Sequence, residues 1–206
     1  MPGERRDVER LEAFSDGVFA IAATLLILNV HADGVPLAKG LLHAWPSYAA
    51  YAVSFVIIGI IWVNHHAAFG QIVSVDRPFL MLNILYLMSV AFIPFPAGLL
   101  AEHLGGPGAG AASVLYGITL TVVGVFGSLS WEHAARRGRL LGRHADPRFV
   151  KATTRTRLLA PCIYLAATLV ALVSPHAAVV LYAAIAVFYV LESTVFAGRR
   201  RGGEAE

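Results

Sequence analysis

Arg10–Val30 reads RLEAFSDGVFAIAATLLILNV: four ionisable or hydroxyl-bearing positions, Arg10, Glu12, Ser15 and Asp16, and then fourteen residues without a charge. Ionisable groups at the edge of an apolar helix are costly unless they face protein or water, so this stretch cannot sit in hydrocarbon as a uniformly oily rod would. The rest of the chain decides what surrounds it. Of its 206 residues 57% are hydrophobic and 14% charged, with a mean hydropathy of +0.67, far above an ordinary water-soluble domain. Asp, Glu, Lys and Arg are absent from Gly40–Val75, Pro78–Ala101, His103–Trp131 and Leu158–Leu191. A spanning helix needs about 20 apolar residues at 1.5 Å rise each. A soluble globular fold is excluded on this ground.

The expected fold is an all-α integral membrane protein, one domain over 1–206, with six transmembrane helices and no re-entrant pore loop. Its spans fall at about 11–30, 46–69, 78–101, 111–133, 157–174 and 176–197. Pro46 and Asp76–Arg77–Pro78 are helix-start signals, and Pro94 with Pro96 predict a kink or unwound turn in span three. The last charge-free run is too long for one crossing, so Ser174 and Pro175 divide it. Fifteen of the sixteen Lys and Arg, all but Lys39, lie before span one, between two and three, between four and five, or at the end. By the positive-inside rule both termini are cytoplasmic. Arg136, Arg137, Arg139, Arg143, Arg148, Lys151, Arg155 and Arg157 form the main basic connection, and Arg199, Arg200 and Arg201 the basic tail. Both are read as topology and contact with anionic lipids. They interrupt apolar spans rather than lining an amphipathic face, so no nucleic-acid partner is expected. Cys162 is the one cysteine, which excludes an internal disulfide. No small-residue cleavage site follows the first span, which is read as a retained helix rather than a signal peptide.

Span one presents two faces. On an ideal helix at about 100° per residue, Gly17, Ile21, Thr24 and Leu28 fall in one narrow arc, with Arg10 and Phe14 near the same line. Ser15 and Asp16 project elsewhere and must be satisfied by neighbouring helices. The nearest candidate partners are Trp62, Asn64, His65 and His66 at the matching end of span two. An indole or imidazole donor on Asp16 would lock the rotation of the first helix.

Arg10, Phe14, Ser15, Asp16 and Ala20 also stand in the spacing Arg-x-x-x-Phe-Ser-Asp-x-x-x-Ala, and here the chain resembles the transmembrane protein 175 family, potassium channels of lysosomes and bacteria. The resemblance implies a bacterial cell-membrane channel that is a homotetramer, in which the first helix of each subunit lines a central pore. It places the lining seven, ten and fourteen residues after Phe14, at Ile21, Thr24 and Leu28. Potassium is the implied permeant species, passing near Thr24, and no cofactor or resident metal is implied. A ring of Ile or Leu offers an ion no ligands and acts as a dewetting barrier until it widens, whereas a ring of Thr hydroxyls can replace hydration water. Arg10, Ser15, Asp16, Trp62, His65 and His66 are expected to hold the lining helix in register, and a histidine there could confer pH sensitivity.

Other readings are weaker. Thr121–Gly127 looks like the TVGYG filter of ordinary potassium channels, but it has an extra residue, runs on within a spanning helix and lacks a preceding pore helix. Gly117, Gly124 and Gly127 are read as close-packing sites instead. Adjacent His65 and His66 diverge on a helix and cannot easily share a metal. Glu102 with His103, and Glu132 with His133, are read as membrane-interface residues. No GxSxG, HExxH or P-loop pattern supports an enzyme. The principal alternative is a small proton-coupled secondary transporter, with Asp16 and the span-two histidines relaying protons.

Overall fold

A computed structural model describes residues 2–31, 36–136, 140–142 and 145–202, with side chains described between Arg5 and Tyr189. Asp33–Val35, Arg137, Arg139 and Arg143 lie outside the described residues, as do the side chains of Arg199, Arg200 and Arg201. The described chain is helical: α1 (Pro2–Leu25) closing in a 3-10 turn (Leu26–Asn29), α2 (Leu37–His43), α3 (Trp45–Phe69), α4 (Arg77–Phe92), α5 (Pro94–His103), α6 (Ala109–Arg136), α7 (Pro147–Ala171) and α8 (Pro175–Gly202). Arg5–Asn29, Trp45–Phe69, Arg77–His103 and Ala109–Arg136 are long and apolar enough to cross a membrane, and Pro175–Tyr189 is a shorter apolar helix.

The helix boundaries follow from local chemistry. Prolines open α4, α5, α7 and α8 or occupy their first turn, where the missing N–H costs nothing. Asp76 caps α4 by accepting the Phe79 amide at 2.9 Å, and Asp146 caps α7 through the Arg148 amide at 2.8 Å. α1 runs back through the charged residues before Leu11, where Arg5 and Glu9 pair one turn apart at 3.6 Å. Pro94 and Pro96 withdraw two N–H donors, and the helix breaks between Phe92 and Pro94. The Asn29 amide, at the end of the 3-10 turn, donates to the Pro94 carbonyl at 2.7 Å.

The small residues of α6 are contact points. A Cβ on Gly117 would overlap the hydroxyls of Tyr182 and Thr168, one on Gly124 would stand 3.2 Å from the Pro161 backbone, and one on Gly127 would crowd Tyr86 and Arg157. Pro161 lies inside α7 and leaves the Arg157 carbonyl without its helical donor. The Ser128 hydroxyl of α6 supplies one at 2.5 Å. Thr121–Gly127 is thus continuous helix, packed on α7 at Gly124 and on α4 and α7 at Gly127.

Two cores result. The larger joins Phe19, Ala22 and Leu26 of α1 to Ile57 and Ile58 of α3, Tyr86 and Val90 of α4 and Tyr116 and Leu120 of α6. The smaller lies at the arginine-rich end, where Val8 and Leu11 meet Phe69, Ile72, Phe79, Ala134 and Leu140. Two loops are stitched together there: the Val73 amide donates to the Leu140 carbonyl at 2.8 Å and the Gly142 amide to the Gln71 carbonyl at 2.9 Å. His133, in the last turn of α6, contacts both Asp76 carboxylate oxygens at 2.9 and 3.0 Å, a partner delivered by the loop between α3 and α4. Glu132 pairs with Arg136 at 2.6 Å.

Gly117 and Gly17 make opposite predictions, since nothing stands within 4 Å of a Cβ at Gly17. Gly117→Ala should destabilise the fold by about 1–3 kcal/mol through overpacking, read as an earlier thermal melt in detergent. Gly17→Ala should melt no earlier than wild type.

Candidate functional site

α1 sorts its side chains by helical position. Val8, Leu11, Ser15, Phe19, Ala22 and Leu26 are buried, at the spacings of three and four that keep one face of a helix inward. The opposite row is Arg10, Phe14, Gly17, Ile21, Thr24 and Leu28, all exposed on the chain, with Phe14 at 58%, Ile21 at 60% and Leu28 at 65%. Ala20 is exposed beside Ile21. One correction applies at the far end. Leu28 lies in the 3-10 turn, where side chains three apart eclipse, so it stands over Leu25, which is also exposed, rather than on the straight α-helical line.

Thr24 turns its hydroxyl hydrogen back into the helix, within 3.0 Å of the Ala20 carbonyl and 2.9 Å of the Ile21 carbonyl. The hydroxyl thus lies back along its own helix, and with its hydrogen donated the oxygen keeps lone pairs that can accept on this exposed residue.

The inner face is held by α3 and α4. The Trp62 indole N–H donates to Asp16 Oδ1 at 2.8 Å, and Trp62 stacks on His66 with ring centroids 5.7 Å apart. His66 Nδ1 lies 3.0 Å from Glu12 Oε1. Deeper in, the Ser15 hydroxyl donates to the Leu11 carbonyl at 2.8 Å and accepts from the Asn83 amide at 3.1 Å. The Asn83 carbonyl oxygen then accepts from His65 Nε2 at 3.2 Å, which assigns the proton to that nitrogen. His65 is 3% exposed and packed among Phe19, Phe69 and Tyr86.

Ser15, Asp16, Trp62, His65 and His66 therefore meet in one contact region. Arg10, Phe14 and Ala20 do not: they stand on the exposed side, Arg10 beside a shallow recess with Arg6, Asp7 and Glu9. Sequence reasoning missed Asn83 and Glu12. Asn83 had a signal, an amide in the middle of a charge-free apolar run, which hydrocarbon does not tolerate without a partner. Asn64, named among the candidates, contributes its backbone carbonyl, which accepts from Arg157 at 2.9 Å. At the far end a cavity of about 740 Å³ gathers Asn29, His31, His43, Glu102 and His176. Among the described residues no three His, Cys, Asp or Glu stand close enough to share a metal ion.

Comparison with known proteins places this geometry. Residues 10–94 match the family model described as endosomal/lysosomal potassium channel TMEM175. A potassium channel of Chamaesiphon minutus is 43% identical over 197 residues, covering 92% of this chain and 97% of the relative. A potassium channel of Streptomyces collinus is 45% identical over 149 residues, 70% of this chain and 72% of its own length. The crystal structure of a lysosomal potassium-selective channel TMEM175 homolog from Chamaesiphon minutus superposes with a TM-score of 0.83 at 36% identity, over 92% of this chain and 99% of that one.

The two layers of α1 contacts should respond differently to substitution. Asn83→Leu strips partners from buried Ser15 and His65 and should cost about 1–3 kcal/mol. His66→Gln removes an exposed contact and should cost less than about 1 kcal/mol. Thermal unfolding of the two purified variants checks the order.

Proposed function

The chain belongs to the TMEM175 family, and on that premise we propose that it is a potassium channel of the bacterial cell membrane, a homotetramer whose pore is walled by the exposed row of α1. Its named relatives are channels, and the chain is no enzyme. The proposed domain is the whole chain, with six crossings formed by α1, α3, α4 with α5, α6, α7 and α8, no re-entrant loop, and both termini cytoplasmic.

One observation carries this reading. The helix with the most polar inner face leaves Ile21, Thr24 and Leu28 uncovered, on the same side as Arg10 and Gly17. Lipid tails would accept the isoleucine and leucine but offer nothing to a guanidinium or to the lone pairs of an exposed threonine hydroxyl. Four copies around an axis give the apolar side chains each other and the polar ones water. Ile21 and the Leu25/Leu28 level then form a hydrophobic constriction that blocks by dewetting and passes ions only when wider. Thr24 sits between them with its oxygen lone pairs toward the axis, the one uncharged polar ligand on that stretch, and sets the preference among cations. The preference for potassium rests on what the relatives are named for. Membrane lipids and the other three subunits are the partners, and potassium is the permeant ion rather than a cofactor. A proton-coupled carrier would use Asp16 as a relay; its Oδ1 bond to the Trp62 indole supports an anchoring role for it instead.

Planar-bilayer recording of the purified protein under a potassium/sodium gradient tests the assignment. Wild type should carry single-channel current reversing near the potassium potential, and Ile21→Asn should raise open probability or conductance by wetting the constriction. Thr24→Ala should shift the reversal potential toward zero. Unchanged current and selectivity in Ile21→Asn, Thr24→Ala and Leu28→Ala together would remove α1 as the lining.

A further inference from the structure

Arg157, on α7, is a cation in an odd place. Nη1 donates to the Gly127 carbonyl of α6 and Nη2 to the Asn64 carbonyl of α3, both at 2.9 Å. The guanidinium carbon lies 5.7 Å from the Trp131 ring centroid, and Nε is buried without a hydrogen-bond partner. Among the described residues it makes no ion pair with a carboxylate. Arg157 is half-buried, and withdrawing part of a guanidinium from water without a counter-ion carries a cost that the carbonyl dipoles and the indole face offset only in part. A leucine would pack here at lower cost. What a leucine cannot do, and a lysine does poorly, is reach two carbonyls on two different helices at once, which the planar fork of arginine allows.

The local sequence is shaped around this reach. Gly127 brings its carbonyl to the fork and lets the Tyr86 ring lie close, since a Cβ there would come 3.1 Å from that ring while touching Nη1 only at ordinary contact distance, 3.5 Å. Ser128 holds the Arg157 carbonyl in place of the donor lost at Pro161. The far end of the reach is Asn64, flanked by Trp62, His65 and His66. Trp62 and His66 hold Asp16 and Glu12, and His65 reaches Ser15 through Asn83. α7 packs chiefly on α6 and α8, while α1 packs on α3 and α4. Arg157 ties the first group to the second at the level of the contacts that orient α1.

We propose that Arg157 is a positioning residue for conduction. By clamping the Asn64 carbonyl it fixes where α3 stands, and through Trp62 and His66 it biases the open–closed balance of an α1 row that it never touches. This inference rests on the channel reading above and adds a control point on a helix outside the pore wall.

Single-channel recording of the full-length protein tests it. Arg157→Met should change open probability at least threefold while unitary conductance and reversal potential stay at wild-type values, and Arg157→Lys should restore only part of the change. In a Trp62→Phe background the effect of Arg157→Met should fall below half, because the path is already cut. A merely structural arginine predicts fewer active channels and an earlier melt, with unchanged open probability per channel and additive effects in the double variant; that pattern overturns the proposal. Should Arg157→Met fail to fold, Arg157→Gln keeps a polar group too short to span both carbonyls, and an unmoved open probability there overturns it equally. Wild type without potassium current overturns the channel reading and this inference together; wild-type current with unresponsive Arg157 variants overturns this inference alone.

Discussion

A hydroxyl, an amide and an imidazole placed where water does not reach must answer one another, and Ser15, Asn83 and His65 do so through every contact but one, His65 Nδ1, which is buried without a partner. Ser15 is fully buried and Asn83 and His65 nearly so. Every donor and acceptor that finds no partner there costs about 1–3 kcal/mol, so only a narrow range of α1 rotations is tolerable. Fixing the rotation has a geometric corollary. Once Ser15 points at α4, a side chain six residues on at Ile21 points away from the bundle, because about 600° of helical turn brings it to the other side. The uncovered row is therefore set by what happens on the covered face.

The outer contacts work differently. Trp62 with Asp16 and His66 with Glu12 lie near the surface of the chain, where pairs of this kind contribute little to stability. Their value is directional: they hold the arginine-rich end of α1 against α3, while the smaller core around Val8 and Leu11 holds it against the loops after α3 and α6. A helix so fastened can transmit displacement from those loops without being the most stable part of the fold.

Much of this was legible in the residues themselves. The charge-free runs located the bodies of α3, α4 with α5, and α6, and Pro94 with Pro96 and Ser174 with Pro175 located the breaks, because missing N–H donors act locally whatever the surroundings; α7 begins at Pro147, ten residues ahead of the expected span, because charged residues on a solvated turn do not end a helix. The pairing of Asp16 with a donor near the end of span two followed from membrane depth alone. What escaped were features that need a second element in view. Asn83 binds Ser15 across 68 positions of sequence, Glu12 stands out as an ionisable group on span one but gains a partner only when His66 is placed beside it, and the tightening of the helix after Leu25 shifts Leu28 over a neighbour that ideal periodicity assigns to another face. The Asp76 partner of His133 was invisible because the fold-back that delivers it is a property of the loop. Arg157 read as one more member of a basic run, and only the carbonyls of Gly127 and Asn64 show that it turns inward.

The Asn29 amide closes the picture at the opposite end. It grips the Pro94 carbonyl just past the broken helix, and Gly98 leaves it the room, since a Cβ there would come within 2.7 Å of it. α1 is thereby moored at two points, near Asp16 and at Asn29, about 20 Å apart at 1.5 Å per residue. A rod lashed at both ends has little freedom to slide or to swing. What remains to it is torsion and a slight bowing of the middle, and any widening between the moorings must come from those two motions.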